Sequence, residues 1–322
     1  MSSEERSVLD PCANRKLFIK ILGEFSNQHS RANVFRDFAE LYSIAIFNAV
    51  TTTIRGPLWE QREQRYFEII KRYSKLELGL FAKLFANLVD VLTYEARDYL
   101  GEIFMELQAG SDRLGQFFTP TEVSRLMARI VVGDDLVDEI KTDGFKTLSE
   151  PACGGGGMIF AAVEVLKEKH VNYQQCLWVQ AIDLDITCVH MCYLQMALLH
   201  IPGEVIHGNA LTLQVFSRWR TPAHFMGNWP AKFRAQEQAG ALRQILELCS
   251  KDSGAVCGNT AVEVELNKSD QTDDANVFSL EADVCVESAQ EPERIAKAMQ
   301  PKKAAKRLIF DLDLSESQLD LF

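Results

Sequence analysis

Four consecutive glycines, Gly154 to Gly157, follow Glu150-Pro151-Ala152-Cys153 and precede the apolar run MIFAAVEVL. Glycines between a strand and a helix let backbone N–H groups come close to a ligand, and the helix N-terminus favours anionic groups there. A tight strand-to-helix turn would have the same composition, so the loop alone is a weak signal. Asp183 stands 27 residues beyond Gly156, at the end of the next strand-like stretch. A carboxylate there can accept both hydroxyls of an adenosine ribose, although read alone it is a solvated strand-end acid. Asn209, in HGNAL, ends a third such stretch, where a short amide can meet an adenine edge. Together the three describe a site for an adenosine-bearing cofactor. Gly154, Gly156 and the residues after them do not complete an NAD-type GxGxxG, and the chain has no GKS or GKT phosphate loop, so nucleotide hydrolysis is disfavoured.

The elements that must position these residues can be read from periodicity. FKTLSEP (145–151), CLWVQAIDLD (176–185) and VIHGNAL (205–211) read as strands, with helices in GGGGMIFAAVEVLKEKH and ITCVHMCYLQMALLH between them. Strand, glycine loop, helix, strand, helix, strand is the beginning of a doubly wound parallel sheet. Upstream, residues 13–110 read as helices: Val34, Phe35, Phe38, Leu41, Ile44 and Phe47 fall near a 3.6-residue period, and the stretch from Tyr66 to Tyr94 continues it. Phe35, Phe38, Phe81 and Phe85 are therefore core residues rather than base-stacking platforms. In GQFFTPTEVSRLMARIVV, Thr119 followed three residues later by Glu122 predicts a capping box across Pro120. The expected organisation is a helical domain over 1–110, an α/β domain over 111–250 and a flexible acidic tail over 251–322.

GQFFTP followed by a helix and then EPACGGGG resembles the adenine-specific DNA methyltransferases related to the modification subunits of type I restriction systems. The resemblance spans roughly 13–235 in order and spacing. It implies a Rossmann-like class I S-adenosylmethionine methyltransferase sheet preceded by an all-α N-terminal domain. It also implies roles: Phe118, Thr119 and Pro120 cover S-adenosylmethionine, Glu150, Pro151 and Gly154 to Gly156 form its methionine-side loop, Asp183 holds the ribose, and Asn209 lies beside the adenine. Methyl transfer to a flipped adenine on DNA is the implied activity, with a specificity subunit as the implied partner.

Such enzymes carry (D/N/S)PP(Y/F) after a fourth strand. The adenine amine is a poor nucleophile because its lone pair is conjugated into the ring. An amide oxygen and the next backbone carbonyl accept its hydrogens, while the aromatic residue stacks on the flipped base. No NPPY or NPPF is present; Asn228-Trp229-Pro230-Ala231, 19 residues beyond Asn209, occupies the place. Trp replaces the first proline and Ala the aromatic residue, which leaves two readings: a working variant with Asn228, Trp229 and Pro230 as catalytic residues, or a surface turn containing Trp. Under the second the chain is a methyltransferase-like factor that binds cofactor, DNA or clamp without chemistry. After Ala239–Cys249, one more helix, no module for reading a long DNA site precedes the acidic stretch.

The net charge of −11 argues against nucleic-acid binding by charge alone, but residues 251–296 hold 11 acids against 3 bases, so the body is much less acidic than the total implies. Residues 297–307 carry 5 bases and no acid, enough to touch DNA phosphates. The last five residues, Gln318-Leu319-Asp320-Leu321-Phe322, resemble the peptide by which bacterial polymerases and repair proteins engage the DNA sliding clamp. In that resemblance Gln318 bonds at a polar pocket, and Leu319, Leu321 and Phe322 present the apolar side chains. The eight cysteines form no CxxC pair, which predicts neither a disulfide scaffold nor a metal site, and with no signal peptide and no apolar run near the ~18 residues of a membrane span the expected compartment is the cytoplasm. His190, His200 and His207 read as structural histidines.

Overall fold

The computed structural model describes residues 11–53, 55–108, 118–133 and 135–252, with side chains over 13–243 of these. Five helices come first: α1 (Pro11–Leu22), α2 (Arg31–Val50), α3 (Pro57–Ile70), α4 (Lys75–Tyr94) and α5 (Tyr99–Gln108). Helices α6 (Thr121–Val131) and α7 (Asp135–Asp143) lead to β1 (Lys146–Glu150). There follow α8 (Gly157–Glu168), α9 (Tyr173–Cys176), β2 (Leu177–Asp183), α10 (Ile186–Leu198), β3 (Gly203–Asn209), β4 (Gln214–Arg220), α11 (Pro222–Met226) and α12 (Trp229–Asp252). The described residues up to Ala239 belong to one compact unit.

The helical part is organised by aromatic residues and by caps. Phe35, Phe38, Phe81 and Phe85 are all buried, and Phe18 meets Phe35, Phe38 and Tyr99 edge-on. Helix α4 opens on a capping box between Ser74 and Glu77, and α2 on Ser30, whose hydroxyl accepts from Asn33 N–H. The buried Asp37 carboxylate is matched: it accepts from Tyr73 Oη at 2.6 Å and Arg72 Nη2 at 3.0 Å. Helix α2 packs on α10, where Ser43 Oγ donates to His190 O.

Strands β1, β2 and β3 are parallel and adjacent in that order, and β4 pairs antiparallel with the far edge of β3. The expected strands are present within two residues at each end, and the antiparallel β4 was not anticipated. A doubly wound sheet reverses its strand order beside the first strand. Here the chain turns back at Asn209 and closes the β3 edge, and no described strand pairs with the outer edge of β1. One face of the sheet, with Val179, Ala181, Val205 and Trp219, is buried under helices. The register places Ser149, Gln180, Glu204 and Arg220 together on the other face, where Glu204 accepts from Gln180 and Arg218. Arg62 of α3 joins the helical layer to β4: its guanidinium lies 3.9 Å and 3.6 Å from the Phe47 and Trp219 ring centres and donates to Arg218 O. Burial holds Arg62 down to about 10.

Helix α6 also departs from expectation. It begins at Thr121 with Pro120 at the N-cap and no side-chain cap, because proline takes the capping position and offers no acceptor. The Thr119–Glu122 capping box is therefore absent. Thr119 lies outside the helix.

His190 and His224 are both buried, and burial lowers each from 6.5 to about 4. The unfolded chain binds these protons near 6.5 and the folded chain only near 4, so their contribution to stability is complete above 6.5 and is lost as pH falls towards 4. Asp98, raised by burial to about 6, acts in the opposite sense over the lower part of this window. Two histidines outweigh one carboxylate. The urea midpoint is expected to be lower at pH 5 than at pH 7.5, and His190→Gln should shrink that difference; equal midpoints would contradict the buried neutral histidines.

Candidate cofactor site

Parallel strands in the order β1-β2-β3 bring Glu150, Asp183 and Asn209 to one end of the sheet, the carboxyl ends of all three. The glycine loop closes over this end. Gly154 N–H donates to Asp183 Oδ2 at 2.8 Å, and Asp185 N–H donates to Asp183 Oδ1 at 2.9 Å. Each carboxylate oxygen keeps a second lone pair for a hydroxyl group. Gly156, at φ +109°, is the N-cap of α8, and a Cβ there would lie 2.7 Å from the Phe160 ring. Only glycine satisfies both demands.

Phe118, Thr119 and Pro120 sit across from this loop. The Phe118 ring stacks on Phe104, centroids 5.8 Å apart, and lies 3.2 Å from where a Gly154 Cβ would be. A cavity of about 250 Å³ is lined by Phe118, Thr119 and Pro120 on one side and by Arg97, Asp98 and Gly157 on others. Glu150 Oε1 accepts Ala152 N–H and shapes the turn through Pro151. Asn209 Oδ1 accepts the N–H groups of Leu211 and Thr212, so the remaining function of that side chain is its amide donor. Leu184 and Leu211 expose large apolar side chains just past the ends of β2 and β3.

Two features escaped the sequence reading. Asp98 is half-buried against the loop, its Oδ1 accepting Gly101 N–H at 2.8 Å and Gln195 Nε2–H at 3.1 Å. Gln195, fully buried on α10, also donates to Gly155 O at 2.9 Å and accepts Leu100 N–H, tying α5 to the loop. The D-x-x-G spacing of Asp98 and Gly101 signals only a helix cap; nothing local relates it to Gly155. The second feature is Ser124 on α6, whose Oγ is buried without a hydrogen-bond partner, 3.8 Å from where a Gly157 Cβ would be.

Asn228, Trp229 and Pro230 are not brought to this site. Strand β4 runs antiparallel to β3, so its end returns to the start of β3, where Thr221 N–H donates to Gly203 O. Asn228, at φ +47°, is the turn between α11 and α12, and its carbonyl accepts Ala231 N–H. Trp229 is fully buried and meets Phe145, the residue before β1, edge-on at 5.1 Å. Phe233 packs edge-on against Phe145 and against Trp178 near the start of β2. The whole length of β2 separates these residues from the carboxyl-end site. Asn228, Trp229 and Pro230 thus stand apart from the carboxyl-end residues; the expected turn exists at Asn228, and its neighbouring tryptophan is core rather than surface. Gly115 to Phe117 of GQFFTP, the acidic tail and the terminal Gln318, Leu319, Leu321 and Phe322 lie outside the described residues.

The four described cysteines with assigned environments, Cys153, Cys176, Cys188 and Cys192, are free and buried. Among the described residues no cluster of His, Cys, Asp or Glu could hold a metal ion, and no helix is long and apolar enough to cross a membrane.

A glycine loop at a helix N-terminus, an acid one strand over and an amide on the next strand lie together at the carboxyl ends of the parallel strands of an α/β unit. Comparison with known proteins gives a match over part of the chain: residues 95–238 match the family described as N-6 DNA Methylase. The type I restriction enzyme MpnII methylase subunit of Mycoplasma pneumoniae is 26% identical over 204 residues, 61% of this chain and 32% of that protein. The type I restriction enzyme EcoEI methylase subunit of Escherichia coli is 25% identical over 198 residues, 52% of this chain and 37% of that protein. The chain spans about a third of the length of these curated relatives. A solved structure titled "cryoEM structure DrdV-DNA complex" aligns with 59% of this chain and 21% of that one, at 20% identity and a TM-score of 0.27.

Proposed function

We propose that this chain is the cofactor-holding part of a DNA adenine-N6 methylase: it binds S-adenosylmethionine at the carboxyl ends of β1 to β3 and needs a further polypeptide to complete methyl transfer. The observation that carries this reading is the division of the site. Glu150, the glycine loop, Asp183 and Asn209 stand at one end of the sheet, whereas Asn228-Trp229-Pro230 stands at the other, with Trp229 buried.

The residues present fit the cofactor. Asp183 has lone pairs left for both ribose hydroxyls, the Asn209 amide can donate to an adenine ring nitrogen, and Leu184 with Leu211 offers apolar surface to a flat base. The methionine end would lie along Gly154 to Gly157 beneath Phe118, Thr119 and Pro120, with Glu150 and Pro151 fixing the turn that aims the loop. There the α8 N-terminus favours its carboxylate, and the orphaned Ser124 Oγ marks a neighbourhood short of one polar partner. When bound, S-adenosylmethionine supplies a methyl group on a sulfonium centre. What the described residues do not supply is an acceptor pair for the adenine amine, and in this reading it comes from a companion subunit that also reads the DNA sequence. The Gln318, Leu319, Leu321 and Phe322 peptide would tether such an assembly to the sliding clamp, in the bacterial cytoplasm.

The test is calorimetry with S-adenosylmethionine alongside transfer of labelled methyl to bacterial DNA lacking adenine methylation. Binding without transfer by the isolated full chain is expected. Absence of binding would end the cofactor reading, whereas transfer by the chain alone would overturn the need for a companion.

A further inference from the structure

The arginines that line the 250 Å³ cavity are already matched, whereas the half-buried Asp98 carboxylate has no cation among the described residues. Arg97 pairs with Glu95 and Glu102, Arg125 with Glu95, and Arg15 with Glu102 and Glu106. Asp98 makes no ion pair among the described residues, and both of its hydrogen bonds end on Oδ1. It is wedged between two glycines: a Cβ on Gly101 would come within 2.1 Å of Oδ2, and one on Gly155 within 2.2 Å of Oδ1. Both glycines are thus needed to admit this carboxylate to the loop, a close approach that a helix cap alone does not require. Its Oδ2 also lies 3.8 Å from the Cβ position of Gly157, the first residue of α8. Burial is the main cause that raises the Asp98 carboxyl to about 6. A carboxylate partly withdrawn from water without a counter-charge is unfavourable, and a ligand cation arriving beside it would relieve that cost.

We propose that Asp98 receives the α-ammonium of the cofactor's amino-acid end on Oδ2, while the neighbouring carboxylate of that end faces the N-terminus of α8. The inference rests on the S-adenosylmethionine reading and adds to it a specificity-determining residue from the helical part of the chain. The two charges of a zwitterion suit the two features: an anionic side chain on one wall and the N-terminus of a twelve-residue helix on the other. Gln195 holds both Asp98 and the Gly155 carbonyl, so the carboxylate and the loop are positioned as one body.

The experiment is calorimetry on the full chain with S-adenosylhomocysteine, which carries the amino-acid end, and with the same thioether lacking its α-amino group. The wild type should bind the first about tenfold or more tightly over the second, as suits a charge-assisted hydrogen bond in a partly buried setting. D98N keeps an Oδ1 acceptor for Gly101 and Gln195, and there the ratio should fall to near one with the deaminated ligand bound as before. A ratio unchanged in D98N overturns the role of Asp98 and leaves the cofactor reading intact; no binding of either ligand to the wild type overturns both. If D98N does not fold, the wild-type ratio measured from pH 7.5 down to 5 decides: it should collapse as pH falls through about 6, and a flat ratio overturns the proposal. The other groups facing the cavity are Arg15, Arg97, Glu102 and Arg125, all held in the ion pairs above; of the nearby thiols, Cys153 is raised by its hydrogen bond with Cys192 and by burial, Cys188 by burial, and both stay neutral throughout.

Discussion

Replacing Asp183 with alanine is expected to weaken S-adenosylmethionine binding by about a hundredfold while leaving the chain folded. The carboxylate does two jobs at once. It accepts Gly154 N–H at 2.8 Å and Asp185 N–H at 2.9 Å, which fixes the glycine loop against the end of β2, and in the proposed complex it also accepts the ribose hydroxyls. Hydrogen bonds to a charged group contribute about 1.5–3 kcal/mol each, so losing the ribose bonds and loosening the loop together should cost about 3 kcal/mol of binding. At 1.4 kcal/mol per decade that is about a hundredfold. Asp183→Asn should fall between, because its amide has one acceptor oxygen for the donors that the carboxylate shares between two. Calorimetry measures all three proteins; an affinity unchanged in Asp183→Ala would remove Asp183 from the ribose site. Asp183 is half-buried at a strand end rather than in the core, so a Tm close to that of wild type is the expected companion result.

The residues of the carboxyl-end site were legible because their chemistry is local. A glycine run after one strand, an acid after the next and an amide after a third need only the strand periodicity to be placed, and the expected strands 145–151, 176–185 and 205–211 match β1, β2 and β3 within two residues. The aromatic stripe of the helical part was legible for the same reason. What failed depends on pairing across the chain. QVFSRWR can be a strand next to β1 or next to β3, parallel or antiparallel, and nothing within those seven residues chooses; the choice is made by Trp219 meeting Phe47, His190 and Arg62. Once β4 turns back, Thr221 to Phe233 lie at the amino end of the sheet, and a motif at a plausible distance along the chain stands far from the carboxyl-end residues. Asp98 was missed in a similar way, since its meaning lies in Gly155, 57 residues on.

The strongest expected effect on stability lies at Trp229. Trp229→Ala should cost about 3–5 kcal/mol, the usual range for emptying a buried aromatic site, and should do so without changing the affinity for S-adenosylmethionine in the fraction that stays folded. The ring is fully buried, stands edge-on to Phe145, and has Lys232 Nζ 4.1 Å from its centre. Removing it opens a cavity beneath the starts of β1 and β2, where Phe233 also packs. The indole Nε1 has no hydrogen-bond partner, so Trp229→Phe, which keeps an apolar ring and deletes that orphan donor, should cost much less than alanine. A catalytic tryptophan would give the reverse pattern: little loss of stability on truncation, and a loss of function with phenylalanine that packing does not predict. Urea unfolding of both variants with calorimetry at a temperature where each is folded separates the two. A stable Trp229→Ala would return this residue to the surface and reopen the amine-binding assignment. A destabilised variant that still binds cofactor would establish Trp229 as the core anchor of the first turn of α12, leaving the adenine-facing part of the site to be supplied from outside the described residues.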